Sequence, residues 1–266
     1  MERTQAQRDL DYENGGFIPQ AATYPPRWEA EAAAFREATP CELDLAYGPN
    51  PRARYDLFFP QGPSKGLMVF VHGGYWKARS KSDWSHFAAG GLARGYAVAM
   101  AGYPLAPEVR IRDITAHIAQ AITAAARRIS GPVVLAGHSA GGHLVARMAM
   151  PGVLPPEVAA RLSRVLPISA LSDLRPFPGL TMNGDLRLDA AEAEAESPVL
   201  GQPLADVGIV ALVGAEERPV FLDQTRWLAE AWGCREVILP GRHHFDVIDG
   251  LADPDSVLMR AFLGEG

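Results

Sequence analysis

Six short apolar runs, separated by longer segments with helical periodicity, most constrain how this chain can fold. They are Leu67–Val71, Tyr96–Met100, Val133–Ala136, Val165–Ile168, Ile209–Val213 and Val237–Leu239. Strands of a parallel sheet read as continuous apolar runs because helices cover both faces of the sheet. Between the second and third runs, the isoleucines at 111, 114, 118 and 122 fall on one face of a predicted helix. The pattern predicts an α/β protein with a mostly parallel central sheet and right-handed crossovers.

The segments outside this pattern predict how the rest of the chain is arranged. Two runs between Cys41 and Pro60, around the turn Gly48–Pro51, predict a hairpin at an antiparallel edge of the sheet. Residues 1–40 are polar and interrupted by prolines, with one helical candidate at Arg27–Arg36, and we expect an N-terminal arm packed on the domain. Residues 172–204 contain no strand candidate and predict a lid or pocket insertion. At 266 residues, all of this fits a single domain spanning 1–266.

Composition narrows the classes of partner. The 25 Lys and Arg residues against 31 Asp and Glu give a formal charge of −6, with no basic run, so we expect a small-molecule partner and no nucleic acid. The two cysteines, Cys41 and Cys234, are expected to be reduced thiols. Neither a signal sequence nor a membrane-spanning apolar run is visible, which predicts a cytoplasmic protein without membrane contact. A homodimer is compatible with this composition.

The sequence Gly137-His138-Ser139-Ala140-Gly141 matches the nucleophile elbow G-x-S-x-G. It follows the predicted strand PVVLA and precedes the predicted helix GGHLVARMAM, which is the context that the elbow requires. The sharp turn strains the serine backbone, and the glycines allow the strand and the helix to approach closely. Ser139 is therefore the candidate nucleophile.

A second motif, His72-Gly73-Gly74-Tyr75-Trp76, stands at the end of an earlier predicted strand. It corresponds to the HGGG-type loop whose backbone N–H groups bind the oxyanion of a tetrahedral intermediate. The expected donors are the N–H groups of Gly74, Tyr75 and Ala140, with Gly73 in reserve.

A serine nucleophile needs a histidine base that is oriented by a carboxylate, in the chain order Ser, acid, His. Only His243 and His244 lie beyond the elbow helix, after the last strand. We select His244 because Phe245 to Ile248 is expected to begin a helix, which leaves His244 on the loop that faces the strand ends. His143, on the elbow helix, is expected to be packed or exposed rather than catalytic.

The acid must project from a loop at the carboxyl end of a strand. Glu216 and Glu217 both follow the strand VGIVALV, and Asp173 follows the strand before it. By residue type and position, all three remain candidates for the catalytic acid. The alternating Glu192, Glu194 and Glu196 are expected to form a solvated helix face.

Taken together, these motifs resemble the kynurenine formamidase (arylformamidase) branch of the α/β-hydrolases. The resemblance includes the HGGYW loop, the GHSAG elbow, the loop EERPVF at 216–221 and the HHF sequence at 243–245. It extends to YPLAP at 103–107, LRPFPGLTMNGDLRLD at 174–189, SP at 197–198 and HFDVIDGLADPDS at 244–256. It covers most of the chain from about Gly48 onward.

The resemblance implies an α/β-hydrolase fold and a triad of Ser139, His244 and Glu217, where family members often carry Asp at the last position. The implied reaction is hydrolysis of N-formyl-L-kynurenine to kynurenine and formate, with no metal or other cofactor. An aromatic wall for the arylamine is expected from Tyr75, Trp76 and Phe177, and Asn183 is a candidate for the polar end of the substrate. A carboxylesterase for short-acyl or aryl esters is the alternative, and an inactive small-molecule receptor with this fold is a more remote one.

Overall fold

The computed structural model describes residues 4–265, and within them eight strands form one sheet. The strands are β1 Cys41–Ala46, β2 Arg54–Phe58, β3 Leu67–Val71, β4 Ala97–Ala101, β5 Val133–His138, β6 Leu162–Ile168, β7 Gly208–Gly214 and β8 Arg235–Leu239. Each of the six apolar runs overlaps a strand, and the two runs at 41–60 form the antiparallel hairpin at the edge.

Helices cover the sheet on both sides. They are α1 Gln5–Asp11, α2 Tyr24–Ala38, α3 Ala88–Ala93, α4 Ile111–Arg128, α5 Ala140–Met148, α6 Pro156–Ala159, α7 Asn183–Leu186, α8 Ala190–Ala195, α9 Pro219–Trp232 and α10 Val257–Leu263. Short 3-10 helices lie at Gly15–Phe17, Ala21–Thr23, Lys81–Phe87, Phe177–Gly179, Pro198–Leu200 and Asp249–Ala252. The predicted helix after His244 is a turn followed by the last of these 3-10 helices.

The strand order is β1-β2-β4-β3-β5-β6-β7-β8. At one edge of the sheet, β2 pairs antiparallel with both β1 and β4. The remaining neighbours, from β4 through β3, β5, β6 and β7 to β8, pair parallel. Because the parallel strands run in the same direction, their carboxyl ends meet along one edge of the sheet. The topology confirms the predicted α/β-hydrolase fold, and it brings the loops after β3, β5, β7 and β8 to that edge.

Two apolar clusters pack against the two faces of the sheet. On one face, α4 buries all four isoleucines of its predicted stripe, each fully inaccessible to solvent. On the other face, residues of α2, α3 and α10 pack against the alternate side chains of the strands. A sheet covered on both faces explains why its strands read as unbroken apolar runs.

Residues 172–204 form α7, α8 and two 3-10 helices. The expectation of a solvated acidic face was wrong for two of its three members, since Glu192 and Glu196 are buried. Arg110 forms an ion pair with Glu192, while Glu196 accepts hydrogen bonds from Arg147 and from the Thr115 hydroxyl. These donors, from α4, α5 and the turn before α4, offset the desolvation cost of burying the two carboxylates.

The N-terminal arm packs on the domain through several polar contacts. A capping box of Thr4 and Gln7 begins α1. The Asp9 carboxylate accepts hydrogen bonds from the backbone and the hydroxyl of Thr181, at 2.8 and 2.6 Å. Gln5 donates to the carbonyl of Gly179, and Arg218 donates to the carbonyl of Leu10. These bonds join the arm to the 172–204 segment and to the loop after β7.

Within the described residues, no helix combines the length and apolar character needed to cross a bilayer. Cys41 and Cys234 are both free thiols.

Buried histidines make the stability of the fold depend on pH. Burial lowers the pKa of His143 and of His86 from 6.5 to about 4, and that of His72 to about 3. In the unfolded chain these imidazoles regain their ordinary pKa and bind protons that the folded protein excludes. Stability is therefore fully present above pH 6.5 and is lost as the pH falls toward 4.

We expect the free energy of unfolding to fall steeply between pH 6.5 and 4, by about 1.4 kcal/mol per pH unit for each excluded proton. His143→Gln should make this slope shallower by about that amount, whatever its effect at neutral pH. Urea unfolding at several pH values measures the slope. An unchanged slope in the variant would contradict the assignment of a neutral buried His143.

Candidate active site

Ser139 lies between β5 and α5 with φ 56° and ψ −116°, a backbone conformation that a serine rarely adopts. Its amide nitrogen donates to the carbonyl of Ile168 at 2.8 Å, which holds the turn against the end of β6. The residue is 2% exposed. The strand, the strained turn and the helix are those of a nucleophile elbow.

The glycines of this turn are required by close backbone contacts. A Cβ atom added to Gly141 would lie 2.0 Å from the carbonyl oxygen of Val71, and one added to Gly137 would lie 2.2 Å from that of Gly141. On the loop after β3, a Cβ at Gly73 would lie 3.1 Å from the Cβ of Ser139. The first turn of α5 is therefore packed directly onto the end of β3, beside the HGGYW loop.

Glu217 and His244 meet at the carboxyl ends of β7 and β8. The Nδ1 atom of His244 is 2.6 Å from Oε2 of Glu217, and the Glu217 side chain is fully buried. The other carboxylate oxygen accepts hydrogen bonds from the hydroxyl of Ser169 at 2.5 Å and from the amide of Gly214 at 2.9 Å. Three donors thus compensate a buried carboxylate, which fixes His244 with Nδ1 toward the acid and Nε2 away from it.

The other acid candidates lie apart from His244. Glu216 is exposed. Asp173 forms an ion pair with Arg175 at 2.6 Å and also caps the Arg175 amide. Of the three acids that residue type and position left open, the structure brings only Glu217 to the imidazole.

The other histidines near the predicted site have separate partners. His243 faces the arm, with Nε2 3.0 Å from the hydroxyl of Tyr24 and Nδ1 3.1 Å from the amide of Phe245. His143 is fully buried and accepts a hydrogen bond from the indole of Trp76, while its Nε2 lies 2.7 Å from the carbonyl of Glu196. Both histidines hold parts of the fold together.

The expected oxyanion loop has an unusual backbone. Gly74, Tyr75 and Trp76 all have positive φ, at 109°, 49° and 58°. The N–H groups of Gly74 and Tyr75 donate to no acceptor within the described part of the chain. Ala140, the first residue of α5, contributes an N–H at a helix N-terminus, where such groups lack intrahelical partners. These N–H groups are available to a ligand.

Ser139 and His244 line the same cavity, of about 680 Å³. Gly73, Gly74 and Tyr75 form the side next to the serine. The rest of the wall combines aromatic side chains with charged ones: Tyr12, Trp28, Trp84 and Phe245, and Asp9, Glu13, Lys77, Arg79 and Asp185. A cavity of this size, lined by aromatic side chains, can hold a small aromatic molecule.

His138 lies beside the nucleophile, and its ring centroid is 4.6 Å from that of His244. Burial lowers the pKa of His138 well below its ordinary value, and the neighbouring His244 lowers it further. His138 is therefore uncharged at neutral pH.

Three predicted substrate-binding residues lie outside the cavity lining. Trp76 is fully buried because the positive φ values turn its indole inward, onto His143 and Phe177. Phe177 is also fully buried and packs on Tyr12, with 4.9 Å between ring centroids. The side-chain amide of Asn183 accepts a hydrogen bond from the backbone N–H of Leu188 and donates one to the Leu188 carbonyl. The expectation for these three was wrong, whereas Tyr75 does line the cavity.

Several residues of the site were not predicted from the sequence. Trp28 and Trp84 form aromatic wall, and the arm supplies Asp9, Tyr12, Glu13 and Asn14. Ser169, which donates to Glu217, was also missed. It directly follows β6 next to β7, so its position at the carboxyl edge of the sheet was a usable signal. The arm carries no periodicity that would have predicted its contribution.

Known proteins resemble this chain in sequence. A family model described as BD-FAE matches residues 55–158. Kynurenine formamidases from Salmo salar and Drosophila melanogaster are 26% and 28% identical to this chain, over 83% and 81% of its length and 80% and 78% of theirs. These matches confirm the family resemblance.

A solved structure from Silicibacter sp. tm1040, of a protein provisionally named a thioesterase, is closer in sequence. It is 54% identical, with a TM-score of 0.94, and the match covers 96% of this chain and 98% of that one. The chain therefore belongs to the same α/β-hydrolase family as the Silicibacter protein, is similar to the kynurenine formamidases, and is a hydrolase of amide or ester bonds.

Proposed function

We propose that this hydrolase cleaves the formamide of N-formyl-L-kynurenine to kynurenine and formate, with Ser139, His244 and Glu217 as its catalytic triad. The observation that carries the proposal is the 2.6 Å contact between Glu217 and His244, on a cavity that Ser139 also lines. The substrate follows from the relatives, which are named kynurenine formamidases.

In the first half of the reaction, Ser139 Oγ attacks the formyl carbon while Nε2 of His244 takes the hydroxyl proton. The carbonyl oxygen becomes an oxyanion that accepts hydrogen bonds from the N–H groups of Gly74, Tyr75 and Ala140. His244 then gives the proton to the arylamine nitrogen, the C–N bond breaks, and a formyl ester remains on Ser139. Glu217 stabilises the imidazolium throughout.

In the second half, water attacks the formyl ester and His244 accepts its proton. Collapse of the tetrahedral intermediate breaks the bond to Ser139, which recovers the proton from His244, and the product leaves as formic acid, which ionises to formate by losing its proton to solvent. The side chains of the triad therefore return to their starting protonation states.

The cavity walls suit an arylamine leaving group. The aromatic side chains of Tyr12, Trp28, Trp84 and Phe245 can pack against the ring, and the charged side chains can meet polar substituents. A Cβ atom added to Gly73 would lie 3.1 Å from the Cβ of Ser139, so a glycine keeps the space beside the nucleophile open for an acyl group as small as formyl.

A short-acyl ester or thioester hydrolase is the second candidate function. The 54% identical protein from Silicibacter is provisionally named a thioesterase. The same nucleophile, base and oxyanion donors cleave esters, thioesters and amides, so the fold does not distinguish among them. The substrate pocket must make the distinction.

We expect kcat/KM for N-formylkynurenine to exceed that for p-nitrophenyl acetate and for S-phenyl thioacetate, because only the first substrate combines an aromatic ring with charged groups that can contact the charged part of the wall. Steady-state kinetics with the three substrates side by side measure this ratio, and Ser139→Ala provides the background rate for each. A large preference for either ester would refute the formamidase proposal and favour the second candidate.

The acid is tested with three substitutions. Glu217→Gln should lower kcat by roughly 10³- to 10⁴-fold, because the amide cannot stabilise the imidazolium or fix the same tautomer. Glu216→Gln and Asp173→Asn serve as matched controls and should stay within about tenfold of the unmodified protein by the same scale. The reverse ranking would refute Glu217 as the catalytic acid.

A further inference from the structure

Asn14 brings an unused polar atom to the cavity. The residue is 7% exposed and lines the cavity together with Ser139 and His244. Its Oδ1 atom is buried and has no hydrogen-bond partner among residues 4–265. A buried carbonyl oxygen without a donor destabilises the fold, so such atoms normally have a hydrogen-bond partner. A ligand in the cavity can supply the missing donor.

The rest of the Asn14 side chain is already oriented. A hydrogen bond from the Asn14 side chain opposes the strong rise that burial causes in the pKa of the Tyr75 phenol. Since the amide NH₂ is the only donor of this side chain, it faces the phenolic oxygen. The Tyr75 hydroxyl in turn donates to the carbonyl of Tyr12 at 2.5 Å. With the NH₂ group committed to Tyr75, Oδ1 remains as an acceptor.

The arm presents acceptors on this side of the cavity. Glu13 and Asp9 line it next to Asn14 in the chain. The hydrogen bonds from Thr181 hold the pKa of Asp9 below its ordinary value, so that its carboxylate is charged at neutral pH. The two cationic side chains of the wall are already paired, Lys77 with Asp185 and Arg79 with Glu29. Beside them, two carboxylates and a carbonyl oxygen without a donor favour a group that donates hydrogen bonds and carries positive charge.

The arm also holds these atoms in fixed positions. Its bonds to Gly179 and Thr181 and the Tyr75 bond to Tyr12 join the arm to the 172–204 segment and to the oxyanion loop. Preorganised polar groups on such a support give specificity because little entropy is lost when the ligand binds.

We propose that Asn14 is a specificity-determining residue, whose Oδ1 accepts a hydrogen bond from an amine or ammonium group of the substrate. The inference rests on the proposed hydrolase function of the Ser139 site but not on the identity of the acyl group. It makes the N-terminal arm part of the substrate-binding site.

Two substrate pairs that differ only in an amine test the inference in the full-length protein. The first pair is N-formylkynurenine and its analogue without the α-amino group. The second pair is O-acetyltyramine and para-ethylphenyl acetate, which reports on the amine even if formamides are not substrates. For each pair, the amine preference is the ratio of the two kcat/KM values.

We expect the unmodified protein to prefer the amine-bearing member of at least one pair. Asn14→Leu should reduce that preference about tenfold or more, mainly through KM, since a hydrogen bond to a charged group is worth about 1.5–3 kcal/mol. Asn14→Asp, which keeps an acceptor at the same place, should retain the preference. Gln20→Leu, an exposed change on the same arm outside the cavity, is the matched control and should leave both pairs unaffected.

Absence of any amine preference in the unmodified protein would overturn the inference. So would an equal loss for both members of a pair in Asn14→Leu, which would identify Asn14 as a structural support of Tyr75. If the leucine variant does not fold, Asn14→Ser takes its place with the same expected loss. A preference that is seen and lost in the ester pair alone would uphold Asn14 while refuting the formamidase substrate.

Discussion

The buried carboxylate of Glu217 is the group on which the geometry of the site depends. It has no contact with solvent and is held by the Ser169 hydroxyl, the Gly214 amide and the His244 imidazole. These partners come from the ends of β6, β7 and β8, so the bond network exists only when three neighbouring strands are in register. The network fixes the imidazole of His244, which lines the same cavity as Ser139.

A similar dependence on register governs the nucleophile. The elbow places Ser139 at a positive φ because α5 begins directly against the end of β3, with no room for a Cβ at Gly141. The loop that follows β3 has three consecutive positive φ values, and the N–H groups of its Gly74 and Tyr75 have no acceptor among residues 4–265. The strain of both turns is stored at the site and compensated by the packed sheet beneath it.

Sequence reasoning predicted what depends on local pattern and strand order. Apolar runs predicted the strands, the glycine spacing predicted the elbow, and chain order limited the base to His243 and His244, because parallel strands bring successive loops to one edge. The cavity walls depend instead on where each side chain points. Trp76 was misplaced because one turn with positive φ directs it into the core, and Glu192 because a distant Arg110 makes its burial favourable. Asn14 and Trp28 come from an arm whose docking site only the folded domain creates.

Whether Ser139 is an activated nucleophile can be measured by labelling the protein with a fluorophosphonate and mapping the adduct by mass spectrometry. We expect one equivalent of label on the peptide that contains Ser139, and no labelling of Ser139→Ala. An unlabelled protein, or an adduct on any other residue, would contradict this expectation.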